Sequence, residues 1–340
     1  MRISKRTILI TFIITLFVFF MATYDLPYYV YKPGQADNLD DIVAVEHGYT
    51  SKGDLHLVTV SGGQVTPIQY IAAKILPYHE MVPIEEARPE GITDEEYMHY
   101  QLMLMEGSQH SSMVVAYEAA NKEVHIDFNG IYVMSVVENM PAEGIIEMGD
   151  RIINVDGKDI KEANELVHYV QEKKSGESIE VVIDRDGEKR TKTIEVQTFP
   201  DDKEKVGIGI QLVTDQKITV HPEVEIKSGK IGGPSAGLMF ALEMYNQLMT
   251  EDITKGYHIA GTGEIDFDGN VHRIGGIDKK VVAADRKGIE IFFAPNENGS
   301  ENSNYITAKQ TAEQIGTDME IVPVDSFDDA LTYLEKLDPK

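Results

Sequence analysis

The sequence has no cysteine. Disulfide frameworks, thiol nucleophiles and cysteine-ligated zinc are therefore excluded. It has no Gly-x-x-x-x-Gly-Lys-[Ser/Thr] run either, so no phosphate loop of that type is present. Positive charge is scarce: 31 Lys and Arg stand against 57 Asp and Glu, a formal net charge of −26. Three of the cations, Arg2, Lys5 and Arg6, lie in the first six residues, which leaves the remainder still more acidic. Such a body repels nucleic acid and anionic surfaces, and no basic stripe interleaved with aromatics offsets it. No metal, cofactor or nucleic-acid partner is expected. At 340 residues and 42% apolar composition, the chain is long enough for two domains with their own cores.

One long stretch lacks charge altogether. Thr7 to Thr23 spans 17 residues, at the short end of what a membrane helix needs. Tyr24, Tyr28, Tyr29 and Tyr31 follow it as an interfacial aromatic belt would, and the basic flank is N-terminal. This predicts residues 1–31 as a cytoplasmic tail and single-pass anchor with the body outside the cell. A cleaved signal peptide is the competing reading, but Met21-Ala22-Thr23-Tyr24 offers no clear small-x-small cleavage site. A core helix would show a polar face, and this run has none. Tyr31 to Asp41, with Pro33-Gly34, reads as a linker off the membrane.

Beyond it, residues 42–123 form an N-terminal segment. Asp54 to Val60 alternates as a strand does, closed by Ser61-Gly62-Gly63. Thr93-Asp94-Glu95-Glu96 reads as a capping box opening a helix, or a pair broken near Gly107, that runs to about Ala120. Residues 124–200 are β-rich, with a tight turn at Asp156-Gly157, a helix over 162–174 and a strand from Ser178. Residues 203–337 turn to α/β, with helices over 235–249, 277–287 and 326–337. The last but one ends at Gly288, a fitting C′ residue. The fold class is α+β.

The chemistry centres on two residues. Ser235 lies in Gly232-Gly233-Pro234-Ser235-Ala236-Gly237, ahead of an apolar helix. Lys280 lies in the first turn of the 277–287 helix, before Val281-Val282-Ala283-Ala284. A serine hydroxyl needs a base, and a lysine serves as one when burial or like charge lowers its pKa. Lys279 and Arg286 would add repulsion to that end, and Asp278 would oppose it. Gly233 frees the backbone to approach a substrate, Pro234 sets the entry angle, and amides from Ala236 onward can face an oxyanion. Thr262, in Gly261-Thr262-Gly263-Glu264, is placed to orient the lysine. Taken alone, a Gly-Gly-Pro-Ser loop is more often a helix cap, and a lone lysine is more often solvated.

Two resemblances sharpen this reading. Pro141-Ala142, Gly144, Gly149-Asp150, Ile152 and Val155-Asp156-Gly157 resemble the PDZ domain. That resemblance implies a groove between the 162–174 helix and the strand Ile131–Val136, where a peptide adds as a strand and its carboxylate meets backbone amides. Phe128-Asn129-Gly130-Ile131, continuing into Tyr132 and Val133, occupies the matching loop position and departs from the Gly-Leu-Gly-Phe form. A small β-domain serving as a spacer is the plainer alternative.

Gly233-Pro234-Ser235-Ala236-Gly237, then Thr262-Gly263-Glu264-Ile265, then Gly269 to Ile289 resemble, as an ordered set, the proteolytic domain of the Lon family. The resemblance implies Ser235 as nucleophile and Lys280, not Lys279, as its base. Lys52-Gly53-Asp54-Leu55-His56-Leu57 and Met105 to Ala119 resemble earlier parts of that domain, which implies a PDZ module inserted within it. The whole is similar to bacterial membrane-anchored PDZ–Lon peptidases. They imply an ATP-independent serine endopeptidase acting on exported peptides or flexible proteins, in a form able to assemble with copies of itself. A PDZ scaffold without catalysis is the alternative from another class.

Overall fold

In the computed structural model, which describes residues 4–88, 94–160, 163–199 and 205–340, the chain divides into two units. One combines Met1–Asn121 with Val224–Lys340; the other is the intervening Lys122–Glu223.

The uncharged run forms helix α1 (Lys5–Thr23), N-capped by Ser4, with no buried residue. The expected linker after it is a strand. β1 (Tyr28–Asn38) pairs antiparallel with β3 (Asp54–Gln64) after a short β2 (Val43–Val45). Pro33-Gly34, which reads locally as a turn, is a bulge between Pro33 and Ala36. A Cβ on Gly34 would lie 2.4 Å from Thr59 Oγ1, so only glycine passes there. β3 likewise runs on through Ser61-Gly62-Gly63, because Tyr31 and Val30 pair with those glycines. Next come α2 (Pro67–Ala73), β4 (Glu80–Pro83), which pairs with β1, and a single-turn α3 (Ile84–Ala87). The proposed cap at Thr93 lies outside the described residues. α4 (Asp94–Ala119) is continuous through Gly107. A mid-helix glycine costs about 1 kcal/mol, and the buried stripe of Met105, Ser108, Ser112 and Ala116 offsets it.

The second unit opens with β5 (Glu123–Val136), followed by β6 (Arg151–Val155), β7 (Lys158–Asp159), α5 (Ala163–Gln171), β8 (Ser178–Arg185) and β9 (Glu188–Glu195). Short β10 (Gln197–Thr198) and β11 (Val206–Gly207) pair with each other, and β12 (Ile210–His221) closes the unit. The main sheet runs β12-β5-β6-β8-β9. Its core gathers Ile131, Val133, Ile152, Val155, Leu166, Val181 and Ile183. The turn expected at Asp156-Gly157 has both residues left-handed, at φ 48° and 80°. The Asp156 carboxylate accepts from the Tyr169 hydroxyl at 2.7 Å and the Glu180 amide at 2.7 Å, tying α5 to β8. β12 departs from the sequence reading, which assigned everything after 203 to the α/β part. It pairs along the length of β5, from Ile210–Val136 to His221–Glu123.

The chain returns through β13 (Val224–Ile226), paired with β2, into α6 (Gly237–Leu248), β14 (His258–Gly261), a β15–β16 ribbon (Glu264–Ile265, Val271–His272) and α7 (Ile277–Lys287). It ends with β17 (Ile291–Pro295), α8 (Asn304–Ile315), β18 (Glu320–Val324) and α9 (Phe327–Glu335). One sheet joins both segments in the order β18-β17-β14-β3-β1-β4. It is parallel from β18 to β3 and antiparallel beyond. Leu238 to Leu242 of α6 are wholly buried, and so are its polar Glu243 and Asn246, so this helix is central.

Candidate active site

Three elements of the first unit converge. Ser235 is in the turn before α6, whose N-cap is Ala236; the helix thus starts two residues later than expected. Thr262 immediately follows β14, and its amide donates to Phe293 O of β17. Lys280 is in the first turn of α7, whose observed bounds match those read from the sequence. Lys280 Nζ lies 2.7 Å from Ser235 Oγ and 2.8 Å from Thr262 Oγ1. Thr262 Oγ1 donates its own proton to Ser235 O at 2.9 Å. It can therefore only accept from the lysine, which leaves the amine's remaining direction for Ser235.

Lys280 is 3% exposed. Burial alone pushes it down to about 7, because a desolvated ammonium is costly. The expected repulsion from Lys279 plays no part in this. Lys279 Nζ instead meets Glu80 at 2.8 Å and Asp278 at 3.2 Å. Burial pulls Lys279 down too, but those two carboxylates outweigh it and hold it above the ordinary lysine value. Adjacent lysines thus point to opposite chemistries: one paired and charged, the other alone and near neutrality.

The Ser235 loop is pinned from below. Gly263 N donates to Ser235 O at 2.9 Å, and Leu238 N to Gly263 O at 3.1 Å. From α4, Ser108 Oγ donates to Pro234 O at 2.8 Å and Ser112 Oγ to Gly237 O at 2.8 Å. These two serines were not singled out as functional. Their i, i+4 spacing on an otherwise apolar helix face was the available signal. A Cβ on Gly237 would lie 2.8 Å from both Ser108 Oγ and Ile265 Cγ2, so glycine permits this close packing. The freedom expected at Gly233 is used within the fold. Gly233 is left-handed at φ 87°, and its amide donates to Gln101 O of α4. Among the described residues, the amides of Ser235 and Ala236 make no backbone hydrogen bond, and both precede the N-terminus of α6. The dyad opens on a cleft of about 670 Å³ whose walls include Tyr29, Thr59, Tyr97, Met105 and Gly233.

In the second unit the groove is not where the sequence put it. Ile131 and Tyr132 pair with β6 on one side, while Ile131 to Val133 pair with β12 on the other. A strand hydrogen-bonded on both edges cannot accept a third, so Ile131 and Tyr132 are excluded as a strand-addition site. Phe128, Gly130 and Val133 are paired with β12 on one edge, and the Asn129 backbone lies between them. The edge strands are β12 and β9, and β12 is the one beside β5. It is entered through Gly207-Ile208-Gly209, with Gly209 left-handed at φ 81°. Ala163 N at the start of α5 donates to Thr214 Oγ1 on that strand.

Two family models match parts of the chain. The family described as Lon protease (S16) C-terminal proteolytic domain matches residues 188–336, and the PDZ domain family matches residues 104–196. The Lon protease of Aster yellows witches'-broom phytoplasma is 29% identical over 132 residues, 38% of this chain and 15% of that protein. The Lon protease of Metamycoplasma arthritidis is 31% identical over 151 residues, 44% of this chain and 17% of that protein. The chain thus spans about a sixth of the length of these relatives. Among solved structures, the PDZ domain of the SdrC-like protein from Listeria monocytogenes is 31% identical, covers 26% of this chain and 90% of that one, and has a TM-score of 0.24. These relationships support a peptidase. A Lon-type proteolytic domain and a PDZ domain share this one α+β chain, behind an N-terminal apolar helix.

Proposed function

We propose that the chain is a membrane-anchored serine endopeptidase that uses Ser235 as nucleophile and Lys280 as general base. The observation that carries this reading is the 2.7 Å approach of Lys280 Nζ to Ser235 Oγ within a buried pocket. The neutral amine takes the Ser235 proton as Oγ attacks a peptide carbonyl. Charge developing on the carbonyl oxygen is met by free backbone amides ahead of α6. Lys280, now an ammonium, returns its proton to the leaving amine; water, deprotonated by the same amine, then releases the acyl group. Thr262 is a positioning residue that aims the lysine.

The work is ATP-independent: hydrolysis of the acyl-enzyme needs no nucleotide, and the sequence holds no phosphate loop. Substrates are accordingly exported peptides or flexible parts of secreted or membrane proteins, which need no forced unfolding. α1 is a single-pass anchor with its basic end in the cytoplasm and the catalytic body outside. The PDZ module recruits or gates substrate through the β12 edge and α5.

A serine-directed fluorophosphonate, applied to the purified full chain, tests the dyad. Labelling of Ser235 and cleavage of a flexible peptide should both fall by about three orders of magnitude or more in Lys280→Ala, as cleavage should in Ser235→Ala. Circular dichroism should be unchanged. Turnover retained in either variant refutes the assignment.

A further inference from the structure

The segment between β3 and β4 takes no part in the site above. α2 opens with a capping box from Thr66 and Gln69 and buries only Ala73. Its other apolar side chains face outward: Ile68 is 57% exposed and Ile71 53%, while in the turn beyond, Ile75 is 77% and Leu76 48% exposed. Positions 68 and 71 share one face of α2, and Ile75 and Leu76 follow it in the turn. Clustered aliphatic exposure of this kind marks an interaction surface.

What covers it follows from where it is tied. Leu26 N donates to Val65 O at 2.9 Å, Val65 N to Tyr28 O at 3.1 Å, and Gln64 Nε2 to Leu26 O at 3.0 Å. The Tyr28 and Tyr70 rings meet at 5.2 Å. These bonds hold α2 beside the three residues that follow the end of α1 and its C-cap Tyr24. Charge agrees. In a chain of net charge −26, residues 55–79 contain no carboxylate, and their one ionised side chain is Lys74, which lies over the Tyr70 ring.

We propose that α2 and the turn after it lie in the outer interface of the bilayer that α1 crosses. Ile68, Ile71, Ile75 and Leu76 enter the boundary between headgroups and acyl chains, and Lys74 meets anionic headgroups. This rests on the reading of α1 as a membrane anchor. It adds a second, in-plane contact, which fixes how the body sits on the lipid.

The chain has no tryptophan, so one introduced tryptophan reports alone. Full-length Ile71→Trp and, as a check on the anchor, Phe12→Trp are placed in phosphatidylcholine–phosphatidylglycerol vesicles whose acyl chains carry bromine. Both positions are solvent-facing in the fold, so neither substitution disturbs packing. Both fluorophores should be quenched roughly twofold, Ile71→Trp most by bromine placed near the headgroups. Quenching at Phe12→Trp alone overturns the α2 contact and leaves the anchor standing. Quenching at neither overturns both. Blue-shifted emission from Ile71→Trp without quenching means that a second copy of the chain covers the face, and also overturns it.

Discussion

At the scale of single residues, the proposed role of Lys280 as general base sets expectations for both rate and stability. Its amine must be neutral to act, so kcat/KM should rise with pH through about 7 and level off above it. Lys280→Arg should restore nothing, since a guanidinium stays charged. The stability effect has a definite sign. Between about 7 and the unfolded value of 10.5, the folded chain binds fewer protons than the unfolded one. Stability therefore rises with pH across that window, and below it the buried ammonium exerts its full penalty. Lys280→Met removes the penalty and fills the same space. Thermal melts near pH 7 should show the inactive variant more stable, by an amount on the order of 2–4 kcal/mol. A variant less stable than the parent at every pH would mean that Lys280 is not buried in this way.

At the scale of elements, α4 is the frame against which the Ser235 turn is set. Ser112→Ala removes a buried hydroxyl whose one proton lies between Ser108 O and Gly237 O. This should cost about 0.5–1.5 kcal/mol in a denaturant titration, and kcat should fall more than KM changes, because the loop moves and the cleft does not. An unchanged kcat would show the loop to be held by β14 and β15 alone. Legibility in the sequence also varied by element. α7 was readable to the residue because Gly276 and Gly288, both left-handed, punctuate it. The Asp156-Gly157 turn was readable for the same reason. Ser235 and Lys280 were legible as parts of two motifs, but their 2.7 Å contact comes from β14 and β17 bringing α6 and α7 together, which no local pattern encodes. β1 was missed because Pro33-Gly34 reads as a turn until Thr59 is seen against it. The edge position of β12 was missed because β12 is separated in sequence from its partner β5, and nothing local distinguishes an edge strand from a paired one.

At the scale of the whole molecule, strands shape both the intervening unit and the chain that follows α1. β5 and β12 run antiparallel, with Glu123 opposite His221, so the inserted unit begins and ends at adjacent points and breaks the chain of its host without spreading it. Within the host, Glu243 is buried in α6, and desolvation pushes it up to about 8, with Asp40 adding to the rise against the Gln247 hydrogen bond. A raised carboxyl keeps its proton in the fold and loses it in the unfolded chain, so stability should fall as pH climbs from about 4.5 to 8. Glu243→Gln should flatten that limb of a melting-temperature profile, and a limb of undiminished slope would place its origin elsewhere. The strand β1 has one more bearing. Four residues separate it from α1, and it forms part of the cleft wall at Tyr29 and Tyr31, so no stalk intervenes between that helix and the cleft. Six residues from Thr23 to Tyr29 reach at most about 20 Å. If α1 spans a bilayer and the cleft cuts peptides, as proposed above, the altitude of the cutting edge is capped by the backbone itself: bonds just above the lipid come within range, and distant ones must be drawn down to it.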